Sequence, residues 1–474
     1  MPSSFLSNLL LMIFLNLLIK PLAIFGIDAS VQNQVGFANY GTYFSLLNLT
    51  LILNILMDLG INNYTTKQIA QNPETAKRYF GKVVSFRLIL FVLYFLILFI
   101  IGFLIGYSAN QFYLLFLLGI NQFFIIMIAY CRSHFAGFHF FKIDALISVM
   151  DRFLLILLAG FVLLFPQHTF TMTVEFFIWI QLLCYAFTLL LALILLRKHL
   201  EKPFFTWDIK FSISLVKKSY PYALLIILMI IYTRIDGVMI ERMNGPYQAG
   251  IYAQGFRLLD ALYMFGMIFA GLLYPMFSRN LKKSKESINE LLRSSGNLLM
   301  GGAIVLVFVS IYNGSFLLSL IYNEYQAAVA SFNWLMLSFL AICMNFIFGT
   351  LLTANGNLKV LNFTSLLGII VNVILNLYLI PTRGAEGAAF ATFITQSFTA
   401  LIQFIYCLNL FSIKVNIRLV LNYMILLISL FTFSHYFFDT NYFLLKQFSF
   451  GVTLLLLLSF LRIKDFRELL EKSS

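Results

Sequence analysis

Runs of about 20 apolar residues recur along the whole 474-residue chain, each long enough to cross the hydrocarbon of a bilayer as a helix. They fall at about 5 to 27, 41 to 62, 83 to 106, 112 to 131, 144 to 165, 174 to 196, 220 to 240, 249 to 276, 295 to 318, 331 to 353, 359 to 380, 384 to 411, 417 to 438 and 442 to 461. The pattern is that of an all-α polytopic membrane protein with about 14 transmembrane helices. At 61% hydrophobic and 11% charged residues, a soluble protein of this size would carry more apolar surface than it could cover.

The charges between the runs set an orientation. Of the 32 Lys and Arg residues, 25 lie in the connections on one side of the spans and about three on the other. Lys67, Lys77, Arg78, Lys82 and Arg87 follow the second run. Arg132 with Lys142, Arg197 to Lys218, Arg279 to Arg293, Lys359, Lys414 with Arg418, and Arg462 to Lys472 repeat the pattern. The positive-inside rule then places both termini in the cytoplasm. The net charge of +13 sits in loops that face anionic lipid headgroups, so no nucleic-acid partner is expected. The first nineteen residues hold no Lys or Arg, and no small-residue cleavage pattern follows, so the first span is expected to be retained.

Cys131, Cys184, Cys343 and Cys407 lie within or at the ends of apolar runs and show no paired spacing, which argues against a disulfide framework or a metal site. The five histidines form no ligand spacing either. Glycosylation sequons such as those at Asn63 and Asn313 carry little weight, since such matches are frequent by chance. The sequence holds no phosphate-cradling glycine loop, nucleophile elbow or zinc motif, so the chain is not expected to be an enzyme, and no cofactor is expected beyond a coupling ion.

A weak internal repeat divides the chain. Gly41-Thr42-Tyr43 opens the second span and Gly250-Ile251-Tyr252 the eighth, while Pro166 maps onto Pro381 and Gln181 onto Gln396 at nearly the same shift. Residues 1–197 (spans one to six) and 217–411 (spans seven to twelve) therefore form two pseudo-symmetric six-helix lobes, with 414–474 holding two extra spans and a tail. No segment outside the spans is long enough to fold alone, so function resides among the helices.

Four cations remain inside the spans: Lys20, Arg152, Arg234 and Arg257. Each costs about 2.5 to 3.5 kcal/mol at mid-bilayer, which points them into a common wet interior rather than at lipid. From the direction of each span, Lys20, Arg234 and Arg257 are expected in the outer half and Arg152 nearer the cytoplasm. Asp151, Asp236 and Asp260 lie close by in sequence, and only Arg257 and Asp260 share a helical face by spacing. Interhelical ion pairing is the plain alternative for any one of these. As a set, cations on spans one, seven and eight suit an anionic substrate, and arginine is the side chain best matched to phosphate. Pro21, next to Lys20, and Pro275 can kink their helices, Pro21 being the hinge candidate, while Pro221 fits a first turn.

These features resemble the polysaccharide-repeat flippases (O-antigen transporters of the Wzx type), of the superfamily that also holds the MATE exporters and the lipid II flippase. The resemblance spans nearly the whole chain. It rests on Tyr40-Gly41-Thr42-Tyr43 with Met57-Asp58-Leu59-Gly60-Ile61, on Tyr232-Thr233-Arg234-Ile235-Asp236, on Ala249-Gly250-Ile251-Tyr252 with Arg257-Leu258, on Tyr274-Pro275, and on Gly384-Ala385-Glu386-Gly387-Ala388-Ala389. It implies two lobes around a central cavity and alternating access that carries an undecaprenyl-pyrophosphate-linked oligosaccharide to the outer leaflet of the bacterial cytoplasmic membrane. Lys20, Arg234, Arg257 and Arg152 are the substrate-binding candidates it implies, with Asp236, Asp260 and Asp58 as candidates for gating or for coupling to H+ or Na+. Membrane lipids, a polysaccharide polymerase and chain-length machinery are the partners it implies.

Three alternatives stand beside it: a lipid II flippase, an exporter of small organic cations, and a membrane glycan polymerase. A cation exporter calls for unpaired buried carboxylates, whereas each acid here lies near a cation. A polymerase calls for a sizeable outer loop, and every outer connection is short.

Overall fold

The computed structural model of the protein describes residues 15–16, 18–165, 171–200 and 208–413, apart from the side chains of 75, 78 and 218–222. Among the described residues ten helices are long and apolar enough to cross a membrane, and no strand occurs. The outward faces of these helices carry large apolar side chains such as Phe103, Leu104 and Phe161, each more than 60% exposed, as a lipid surrounding requires. Two of the ten, Leu18–Gln71 and Leu358–Phe411, run to 54 residues; the first holds the end of span one with span two, and the second spans eleven and twelve. Spans thirteen and fourteen and the tail lie outside the described residues.

The elements are a π-helical turn (Ala23–Asp28), α1 (Ala29–Leu53), α2 (Ile55–Asp58), α3 (Ile61–Gln71), α4 (Glu74–Leu104), α5 (Ala109–Gly137), α6 (Phe141–Leu164), α7 (Val174–Leu196), α8 (Ile209–Asn244), α9 (Pro246–Asn280), α10 (Lys285–Tyr312), α11 (Gly314–Ser319), α12 (Val329–Ala354) and α13 (Leu358–Phe411). Polar caps start several of them, two close to the start of an apolar run and two about ten residues before one. Ser108 and Gln111 form a capping box on α5, while Thr173, Asp208 and Ser284 cap α7, α8 and α10.

The apolar-run pattern puts a connection at residues 28–40. The structure instead keeps that stretch helical and turns the chain at Gly36 alone, with φ 80° and ψ 167°. Gly245, between α8 and α9, has nearly the same conformation, φ 92° and ψ 165°. Only glycine adopts it without strain. The two lie 209 residues apart, the shift that carries Gly41 onto Gly250. The helices that follow pack reciprocally: a Cβ on Gly41 would collide with the Pro246 carbonyl, and one on Gly250 with that of Phe37. Phe37 and Pro246 are themselves related by the same shift. Small residues let the two backbones touch, as helix pairs in membranes require.

Two compact units emerge from the packing: Met1–Ala253 with Ile321–Asn323, and Gln254–Leu320 with Glu324–Ser474. This places α8 and the first turns of α9 in the first unit, whereas the repeat assigns residues 217–411 to the second half. The reason is that α8 is bonded to the first unit at both ends, through Lys82 to Asp208 at 2.8 Å and Gln111 to Glu241 at 2.9 Å. The first unit is also discontinuous in sequence. Asn33 donates to the Ile321 carbonyl at 2.8 Å and accepts from the Asn323 amide at 3.0 Å.

Candidate functional site

Inside the first unit, Lys20 lies within electrostatic reach of Arg132, Arg152, Asp151 and Asp144. Arg152 lies within reach of Tyr185, Asp151, Asp28 and Tyr43, its guanidinium 5.9 Å from the Tyr185 ring centre and its Nε 3.6 Å from Asp151. Arg132 bonds Asp144 through Nε at 2.6 Å. Three cations and three carboxylates thus share one interior, built from the first span, α5 and α6. Tyr43 enters it from α1 and Tyr185 from α7, with Gln181 donating to the Tyr43 hydroxyl at 2.8 Å.

The expected outer-half position of Lys20 is corrected by this grouping. The first helix continues to Gly36, so Lys20 lies sixteen residues short of the turn, about 24 Å along a helix, and belongs to the half nearer the cation-rich face. Arg234 lies eleven residues before Gly245 and Arg257 twelve after it, about 16 and 18 Å, which is close to mid-span. Pro21 lies two residues before the π-helical turn begins at Ala23, and Asp28, 6% exposed, closes that turn. Wide turns of this kind are a known source of kinks.

Along α8, Arg234 is half-buried and Asp236 is 1% exposed, with an oxygen 3.1 Å from the Tyr252 hydroxyl that donates to it. Both belong to the first unit. Arg257 and Asp260, one turn apart on α9 and half-buried, belong to the second. The candidate cations are therefore divided between the units, Lys20, Arg152 and Arg234 in one and Arg257 in the other.

Asp58 has a different setting. Arg87 donates to its carboxylate at 2.9 Å, to Asn62 Oδ1 at 2.8 Å and to the Ile126 carbonyl at 3.1 Å, with the guanidinium 4.7 Å from the Tyr130 ring centre. The group spans a break in the helix of span two, where Leu59 (φ 47°) and Gly60 (φ 77°) are left-handed. Arg87 is only 1% exposed, although the charge pattern counts it among the loop cations.

Arg87, Arg132, Asp28 and Asp144 are the residues that sequence reasoning missed. A cation in the first or last turns of a span has the same one-dimensional signature as a loop cation. The available signal was a carboxylate or amide at matching depth on a neighbouring span. The four cysteines are free and buried, and no group of three metal-ligating side chains occurs among the described residues.

Long apolar helices with large apolar side chains on their outward faces, and charges gathered between them, define a multi-pass membrane protein. The chain belongs to the polysaccharide biosynthesis protein family, whose model matches residues 5–281. Among solved structures it resembles the lipid II flippase MurJ in an inward closed conformation, at 16% identity and a TM-score of 0.70 over 97% of this chain and 100% of that one. It also resembles an inward-facing multidrug resistance MATE family transporter of the MOP superfamily, at 13% identity and a TM-score of 0.62 over 82% of this chain and 94% of that one. A point mutant of the Vibrio cholerae MATE transporter VcmN aligns at 13% identity and a TM-score of 0.54 over 84% of this chain and 93% of that one. No curated protein matches the sequence.

Proposed function

We propose that the protein flips an undecaprenyl-pyrophosphate-linked oligosaccharide, the repeat unit of a bacterial surface polysaccharide, from the cytoplasmic to the outer leaflet by alternating access. The observation that carries this reading is the half-buried cluster of Lys20, Arg132 and Arg152 with its carboxylates, in a chain of the polysaccharide biosynthesis family. A lipid-linked diphosphate carries about two negative charges that cannot cross hydrocarbon bare, and guanidinium forks replace the lost hydration. The prenyl tail meanwhile stays in the bilayer.

In this reading the protein lies in the cytoplasmic membrane with both termini inside. It receives substrate from the lipid phase and hands it to polymerase and chain-length machinery. Lys20, Arg152, Arg234 and Arg257 contact the diphosphate along its path. Asp236 and Asp260 exchange partners during the cycle or hold the coupling H+ or Na+. Asp58, bonded to Arg87, contributes by holding the break in span two.

The test is outer-leaflet exposure of a lectin-readable undecaprenyl-pyrophosphate oligosaccharide in proteoliposomes, with and without protein. Protein-dependent exposure that Arg257→Ala abolishes supports the reading. No exposure under any ion gradient, with folded protein, overturns it. The likeness to a lipid II flippase over nearly the whole chain supports a second reading with the same mechanism and a different glycan, and running lipid II in the same assay separates the two.

A further inference from the structure

The carboxylate of Glu241, at the end of α8 on the cation-poor face, is 1% exposed and takes no part in the cation cluster. It is fully engaged. Arg242 pairs with it, Gln111 Nε2 donates to it at 2.9 Å, and Ser45 Oγ lies at 3.5 Å. Arg242 in turn reaches the Gly106 carbonyl at 3.3 Å and lies 4.7 Å from the centre of the Tyr107 ring. The Gln111 amide is held in place because its oxygen accepts from the Ser108 amide at 3.0 Å in the α5 capping box. The Glu241–Arg242 pair thus ties α8 to α1, to the turn after α4 and to the first turn of α5.

We propose that Glu241 and Arg242 form an outer lock of the transport cycle, which holds the end of α8 against the first unit and must open before substrate leaves on the cation-poor side. The proposal rests on the transporter reading above. The repeat makes α8 the opening helix of the second half, yet the packing assigns it to the first unit. Its two attachments differ in kind. At the cation-rich end the Lys82–Asp208 pair is about one-third exposed on both sides, and water competes with it. At the other end the Glu241 carboxylate is removed from water, so its bonds are charge-assisted and strong. Beside them, the reciprocal packing of Gly41 and Gly250 carries one neutral bond, from the Gln32 amide to the Gly250 carbonyl at 2.8 Å, and its two glycines bring no charged side chain. The lock is therefore where the end of α8 carries its charge-assisted bonds and where a change of partner would free it.

Accessibility of a reporter cysteine tests this without any substrate, so its failure and that of the flippase reading are distinguishable. The full-length protein, with its four native cysteines replaced by serine, carries Leu49→Cys, on α1 one turn deeper than Ser45 and 4% exposed. A control version carries Ile69→Cys, on α3 near the opposite face and 1% exposed. In detergent, a bulky maleimide is expected to label the Leu49→Cys site about tenfold faster once Glu241→Gln or the milder Arg242→Gln removes the lock, because the closed state loses its weighting. The Ile69→Cys site is expected to stay protected. Equal labelling of Leu49→Cys with and without the lock overturns the proposal, and so does exposure of both reporters together, which is loss of the fold rather than opening. Bridging a Gln111→Cys/Glu241→Cys pair is expected to arrest flipping, with recovery on reduction.

Discussion

Arg87 and Asp58 meet at 2.9 Å across the break in span two, with the arginine 1% exposed and the aspartate side chain 16% exposed. A charge there would be ruinous without its partner, and the pair, Asn62 and the Tyr130 ring enclose one another.

Removing either partner leaves a buried charge uncompensated, at a cost of about 3 to 5 kcal/mol. Arg87→Ala and Asp58→Ala are therefore expected to lower the melting temperature in detergent sharply. The double replacement is expected to cost less than the two losses added, as a thermal double-mutant cycle will read.

Arg152→Ala is expected to reduce flipping at least about tenfold in proteoliposomes, and Arg152→Lys to recover only part of it, because the ammonium keeps the charge and loses the planar fork. Lys20→Ala is expected to act in the same direction. Binding of the lipid-linked substrate, measured by tryptophan quenching, should weaken in parallel.

Gly41→Leu and Gly250→Leu are expected to be about equally destabilising, each by about 1 to 3 kcal/mol, since each drives a side chain into the other helix's carbonyl. A large difference between them, read by thermal unfolding, would show that the reciprocity of the crossing does not extend to its energetics.

Asp208 accepts from Lys82 and from the Phe211 amide, and the Lys82 bond holds its carboxyl below the usual carboxylate range. The unfolded chain then binds more protons than the folded one. This contribution to stability is fully present above the unfolded value near pH 4 and is lost as pH falls through the lowered folded value. Melting temperature measured from about pH 6 down to about pH 3 should fall less steeply in Asp208→Asn.

Helix positions among the described residues were legible because a span must exceed a bilayer in length. The Gly41 and Gly250 repeat was legible too, and the matching turns at Gly36 and Gly245 show why it exists. What the sequence does not encode locally is rotation about each helix axis. Arg87 and Arg132 read as loop cations because depth alone cannot tell a side chain aimed at water from one aimed at Asp58 or Asp144. Lys20 was misplaced in depth for a simpler reason: Asp28 to Tyr40, polar enough to look like a connection, is helical except at Gly36. Glu241 went unnoticed as one acid in a short outer connection, yet it is among the most thoroughly bonded groups of the first unit.

The side chain of Asn33 holds the backbone at Ile321 and Asn323, some 290 residues further along the chain. At the usual 5 to 20 residues per second of synthesis, roughly 15 to 60 s separate the two. Throughout that interval the early helices sit in the bilayer with this clasp unmade, exposed to chaperones and proteases. This one contact of the first unit thus waits for the ribosome to reach a loop far downstream, and a chain ending before Ile321 would never make it.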